Sequence, residues 1–196
     1  MSRTPRGRRP GAPDTRAAIL TAARSRFAEH GFAGTTIRSV AAAADVDAAL
    51  VHHYFGAKAD LFMAALQLPV DPRQVIAPVV AEGAEGAAER FLHVFLGVWD
   101  DPELQPSLVA FARGLMDPSS SRLLSEGFLP VVLQPVGQAL GLDRAEHRMM
   151  LVASQVMGLI LLRYVMRVEP LVSMAQEEVV ATYAPTLQRY FTGPLP

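Results

Sequence analysis

The stretch TTIRSVAAAADVDAALVHHYFGAKADLF, residues 35 to 62, constrains the fold more than any other part of the chain. Its apolar positions keep helical spacing, stop, and start again. Ile37, Val40 and Ala41 share one helical face, the pattern breaks at Ala44, Asp45 and Val46, and it returns with Leu50, Val51, Tyr54 and Phe55. Asp47 stands where a helix N-cap belongs, and a further helix start follows at Ala57 or Lys58. Two short helices around a tight turn are therefore expected, with Val46 buried to fix the angle between them. In a helix-turn-helix of this kind the second helix offers its side chains to the major groove of DNA; here these are Ala48, Ala49, His52 and His53.

The flanking residues complete a three-helix head. Helix 1 is expected to start with Asp14 or Thr15 as N-cap and to end at Gly31, with Ile19, Leu20, Ala23 and Phe27 as its buried stripe. Helix 2 begins at Thr35 or Thr36, where a hydroxyl can cap the helix and stand beside free N–H groups that suit a phosphate. Helix 4 runs through Leu61, Phe62 and Leu66 to the break at Pro69.

At these residues the chain resembles the tetracycline-repressor (TetR) family of bacterial regulators. The family's N-terminal pattern runs apolar helix, G-F/Y, T-T, I/V, A, then L-Y/H-x-x-F-x-x-K-x-x-L-F. Gly31, Phe32, Thr35, Thr36, Ile37, Val40, Ala41, Leu50, His53, Phe55, Lys58, Leu61 and Phe62 match it in register, within a resemblance that covers residues 14 to 66. The turn departs from it, with Asp45 where the family often has Gly, although Asp tolerates the left-handed conformation. Asp47 would repel phosphate unless it caps its own helix, which is the preferred reading. The resemblance implies that Thr36, Tyr54 and Lys58 grip phosphates while Arg38, Ala48, Ala49, His52 and His53 lie near base edges. It also implies a homodimer through the last two helices, and a small-molecule effector that shifts helix 4, within residues 57 to 68, to release a double-stranded DNA operator.

Charge supports a nucleic-acid partner independently. The net charge is −1 overall, but residues 1 to 58 hold nine basic residues against four acids, and the remainder holds nine against fifteen. A polyanion is drawn to one end and kept off the other. Residues 1 to 13, with four Arg, three Pro and two Gly, read as a flexible basic arm, either a plain tail or an arm that follows phosphates into a minor groove.

Several classes are excluded. With no cysteine, disulfide frameworks, thiolate nucleophiles and thiol-based redox sensing are ruled out. The apolar run from Val156 to Leu162 stops at Arg163, short of the roughly 20 residues of a membrane span, so a cytoplasmic protein without a membrane partner is expected. Neither a phosphate-cradling glycine loop, a paired-His metal motif nor a nucleophile elbow is present, so no enzyme and no cofactor are expected. His52 and His53 point about 100 degrees apart on a helix, which rules out joint chelation of one metal ion.

Beyond residue 70 the chain reads as helices at about 73 to 82, 84 to 99, 103 to 116, 120 to 139, 143 to 168 and 171 to 191, with no alternating strand pattern. The expected fold is all-α: residues 1–13 an arm, 14–68 a helix-turn-helix DNA-binding domain, and 69–196 a helical ligand-binding and dimerisation domain. Met149, Met150, Val152, Ala153, Val156, Met157, Leu159, Ile160 and Leu161 make helix 143 to 168 apolar nearly all round, so more than one neighbour must cover it, and Gly158 would allow close approach. A dimer interface and an ordinary core helix both satisfy that.

Phe91, Phe95, Trp99, Leu108, Phe111, Met116, Phe128, Met157 and Tyr164 are either packed core or the wall of an apolar ligand site, with His93, Arg113 and Gln155 as possible polar contacts. Of these, Phe91, Phe95, Trp99, Phe111, Met116, Met157 and Tyr164 are the ligand-contact candidates. The function expected is that of a dimeric repressor released from a palindromic operator by a small, largely apolar ligand. The alternative is a helical ligand-binding or protein-interaction module with weak or lost DNA specificity.

Overall fold

The computed structural model describes residues 14–117 and 121–196, so the basic arm lies outside the described residues. These residues form helices and connecting turns, with no strand among them. The chain divides between Gln67 and Leu68 into two compact units.

The first unit contains α1 (Thr15–Gly34), α2 (Ile37–Ala43), α3 (Ala48–Phe55) and α4 (Lys58–Leu66). Asp14 caps α1 by accepting hydrogen bonds from the Arg16 and Ala17 N–H groups. Gly31 breaks the helix, at φ 68 and ψ 178, a conformation essentially confined to glycine. The break swings Phe32 into an aromatic cluster, with ring centroids 6.0 Å from Phe27 and 5.4 Å from Phe62. Phe27 meets Phe62 edge-on at 5.0 Å, the geometry ring quadrupoles favour. Around this cluster Ile19, Leu20, Ala23, Val40, Val51, Phe55 and Leu61 are buried.

Thr35 and Thr36 divide the work expected of either one. Thr36 is the N-cap of α2, with Ser39 N–H donating to its hydroxyl at 3.0 Å and its own N–H donating back to Ser39 Oγ at 3.1 Å. Thr35 is fully buried, and its hydroxyl is shared between the carbonyls of Arg26 and Gly31 at 2.9 and 2.8 Å. It therefore satisfies orphan carbonyls at the break in α1, not a phosphate.

The second unit contains α5 (Pro72–Ala81), α6 (Ala87–Trp99), α7 (Gln105–Leu115), α8 (Ser121–Leu123), α9 (Gln134–Ala139), α10 (Ala145–Leu159) and α11 (Gln176–Thr192). Two π-helical segments interrupt the expected regular helices. Leu124–Leu133 joins α8 to α9, and Ile160–Val165 extends α10. Pro130 and Pro135 account for the first, since each removes an N–H from the ladder and crowds the preceding turn, which a wider helix relieves. Helix α6 starts at Ala87 and not near residue 84, because Gly86 turns left-handed at φ 69; Gln188 on α11 then accepts from Ala88 N–H at 3.2 Å and donates to Ala84 O at 2.9 Å.

The last expected helix also begins late. Residues 166–175 form turns, held by the buried Arg163 guanidinium, which donates to the carbonyls of Leu171 and Met174. The continuous 21-residue stretch Ala145–Val165 contains 18 residues of mean hydropathy 1.4, long and apolar enough to cross a membrane and longer than the run read from sequence. It is instead laid into the unit. Met149, Val152, Leu159 and Ile160 are buried, and two charged residues within it, Arg148 and Arg163, are buried and hydrogen-bonded. Gly137 allows α9 to approach α10, since a Cβ there would stand 2.8 Å from Met149 Cγ.

Candidate functional site

In the first unit the turn between α2 and α3 is tight because Val46 N–H donates back to Ala41 O at 3.0 Å while Asp45 takes a left-handed φ of 53. Asp47 is the N-cap of α3, and its carboxylate accepts from Ala49 N–H at 2.7 Å. Val51 and Phe55 face the core and leave Ala49, His52, His53 and Tyr54 exposed, with Ala48 half-buried. Arg38 and Thr36 are exposed on and just ahead of α2.

His52 is held by its own helix end. Its Nδ1 lies 3.0 Å from the Gly56 carbonyl, and Gly56 N–H donates in turn to His52 O at 2.9 Å. A carbonyl oxygen only accepts, so Nδ1 carries the proton and Nε2 of the neutral ring is a free acceptor. His53 packs edge-on against Tyr54 at 5.6 Å. Among the described residues no group of three or more His, Cys, Asp or Glu is gathered to hold a metal ion.

Lys58 is placed differently from the phosphate grip the resemblance implies. Its ammonium donates to Phe32 O at 2.9 Å and Thr35 O at 3.1 Å, and lies 4.3 Å from the centre of the Phe32 ring. Two of its three donors thus clamp the start of α4 to the joint between α1 and α2.

The second unit contains a partly open apolar cavity of about 170 Å³. Phe91, Phe95, Trp99, Phe111 and Met157 line it, as do Leu108 and Phe128. Met116 and Tyr164 lie outside it. Met116 is exposed at the end of α7, and the Tyr164 hydroxyl is turned away to donate to Asp100 at 2.9 Å. Burial, with the Asp100 carboxylate beside it, holds that phenol well above its ordinary pKa, so it stays a donor. None of the three expected polar contacts is in the wall. His93 lies between Glu89 at 3.9 Å and Glu177 at 3.8 Å, Arg113 is exposed, and Gln155 is half-buried elsewhere.

Aliphatic side chains such as Val75, Ile76 and Val79 of α5 and Leu129 and Val132 of the π-helical segment complete the wall. Aromatic residues drew attention in the sequence. These aliphatic ones carry no mark that separates them from ordinary core residues.

Fold and site together define a helix-turn-helix protein with an appended helical unit built around an apolar cavity. Residues 19–65 match the model of bacterial regulatory proteins of the tetR family, and residues 85–191, more than half of the chain, match the tetracyclin repressor-like C-terminal domain. The chain belongs to the tetR family.

Among curated proteins it is similar to the HTH-type transcriptional repressor SCO4008 of Streptomyces coelicolor, 36% identical over 78 residues, covering 40% of this chain and 41% of that one. It is also similar to the HTH-type transcriptional repressor AcnR of Corynebacterium glutamicum, 34% identical over 90 residues, covering 46% and 43% of the two chains. The chain thus spans about two-fifths of the length of the curated relatives it matches. Among solved structures it is similar to a TetR-family regulator of Streptomyces coelicolor A3, with 37% identity, a TM-score of 0.50, and coverage of 94% of this chain and 98% of that chain.

Proposed function

We propose that the chain is a dimeric, sequence-specific transcriptional repressor, released from a palindromic operator when a small apolar molecule enters the second unit. The observation that carries this reading is α3, capped by Asp47 and presenting Ala49, His52, His53 and Tyr54 on its exposed face. Ala48 and Arg38 complete the base-side set, and Thr36 and Tyr54 serve the backbone. Lys58 acts from inside, by holding α4 against the joint between α1 and α2. The repressor role is carried over from the names of the curated relatives.

Dimerisation through α10 and α11 is supported by Met150, Leu162 and Met166, which lie exposed along α10 and its extension, and by Gly158, where an added Cβ would meet open space. Two heads related by a twofold axis read half-sites about 34–36 Å apart, or a multiple of that. A ligand needs to favour the non-spanning state by only about 1 to 3 kcal/mol to weaken the operator complex roughly 5- to 150-fold.

The test is binding of the purified protein to DNA fragments tiled around its own gene, across a salt series with nonspecific competitor. One tightly bound fragment with a symmetric footprint is expected. Weak binding that is indifferent to sequence on these fragments and on genome-wide selected DNA would sink the reading and leave a ligand-binding module. That rival rests on the two acids at the turn, of which Asp47 caps α3 by accepting from the Ala49 N–H.

A further inference from the structure

The cavity wall has a chemistry more specific than the family implies. Resting on the reading of the second unit as an effector-binding unit, we infer that the cavity takes an electrically neutral, hydrocarbon-rich guest. Its size is that of one substituted ring or a short alkyl chain, and no charged group enters with it. Apart from the indole N–H of Trp99, the side chains of the wall are hydrocarbon or thioether throughout.

The nearest polar groups are spent elsewhere, behind the wall. Trp99 lines the cavity, and Tyr164 packs on it at 5.1 Å, but the phenol donates to Asp100. The Gln105 amide donates to Trp99 O at 2.9 Å, and Arg163 is used on the Leu171 and Met174 carbonyls. A carboxylate drawn inside would lose its hydration with at most the single indole N–H of Trp99 to replace it, and an ammonium would find no acceptor among the side chains of the wall, a cost far above what the apolar contacts return.

Size narrows the class further. An apolar cavity of about 150 Å³ stays dry and admits benzene, and this one, at about 170 Å³, is on that scale. Met149 and Met157 in the wall adjust to shape more readily than branched residues do. Sugars, nucleotides, fatty-acid carboxylates and cationic dyes are therefore the wrong chemistry; short alkylbenzenes and similar neutral hydrocarbons are the right one.

Trp99 is the single tryptophan of the chain and lies in the wall, so its emission reports the guest directly. The experiment titrates the full chain with propylbenzene, phenylacetate and phenethylammonium, three probes of similar size and different charge. Propylbenzene is expected to change Trp99 emission saturably, with both ions roughly a hundredfold weaker or more. Ala112→Phe, or Ala153→Phe if the first does not fold by circular dichroism, fills the cavity and is expected to abolish the response.

Failure of propylbenzene to bind, an ion binding as tightly, or an undiminished response in the folded filled variant would overturn the inference. Operator binding is scored separately on the same preparation. Tight operator binding with no propylbenzene response sinks the inference and spares the regulator reading; propylbenzene binding with indifferent DNA binding does the reverse.

Discussion

Lys58 is the single lysine in a chain with seventeen arginines, and its ammonium is turned inward onto the carbonyls of Phe32 and Thr35. Lys58→Ala is expected to lower the stability of the first unit by about 1 to 3 kcal/mol, since two hydrogen bonds from a charged donor and a cation–π contact disappear together. Equilibrium denaturation checks this. The salt slope of operator binding should then fall by less than the roughly 0.9 that one lost phosphate contact produces, and a full loss would place the ammonium on DNA instead. Spacing showed where Lys58 sits but not where it points, because the break at Gly31 that brings the Phe32 carbonyl within reach is a backbone event. His52 argues in the opposite direction, outward. With Nδ1 donating to Gly56, its free Nε2 accepts, which suits the amino groups of adenine N6 or cytosine N4 and not the acceptors of guanine. Selection of bound sequences from a random pool should give one A or C per half-site that His52→Ala relaxes; an unchanged consensus would remove His52 from base reading.

Helix positions were legible where a periodic stripe met a clear stop, and less so where bonds from distant side chains set the boundary. The helices of the first unit fall where Asp14, Thr36 and Asp47 cap them, and all three are local signals. The starts of α6 and α11 are not set by local signals alone. The first joins the left-handed turn at Gly86 to bonds from Gln188, a hundred residues away, and the second rests on turns tied down by Arg163. The first π-helical segment was unreadable for a related reason, since prolines at 130 and 135 mark disruption without saying whether a helix ends or widens. Arg148 is the clearest case of an element held from elsewhere. It is buried within α10, bonds Asp143, and donates to the Tyr190 and Gly193 carbonyls at 2.8 and 3.0 Å, at the negative end of α11. Arg148→Met keeps the length and removes the charge, and thermal or denaturant unfolding should show a loss of about 2 to 3 kcal/mol. A change under about half a kcal/mol would mean that packing alone seats α11 against α10.

The whole molecule poses a problem that neither unit solves alone. Helix Ala145–Val165 has more apolar surface than its own unit covers: Val152, Ala153, Val156, Met157 and Ile160 face the cavity, while Met150, Leu162 and, just past its end, Met166 are exposed. The sequence reading left a dimer seam and an ordinary core helix as alternatives, and the helix has a face for each. The cavity face was hard to read because aliphatic lining and aliphatic packing have the same pattern. The outward face was hard to read because a π-helical segment shifts the register after Leu159, so a strict 3.6-residue period misplaces Leu162 and Met166. If the outward face seats a second copy, the double substitution Met150→Glu and Leu162→Glu should leave the fold intact, because Met150 is 48% and Leu162 38% exposed and a glutamate there can reach water. It should convert a dimer to a monomer in analytical ultracentrifugation and leave the Trp99 response to propylbenzene in place. Operator affinity should fall on the order of a hundredfold to ten-thousandfold, the usual range for losing a tethered second site, and the footprint should shrink to one half-site. A variant that remains a dimer with full operator affinity would show that α10 does not carry the pairing, and the twofold reading of the operator would then need a different surface to support it.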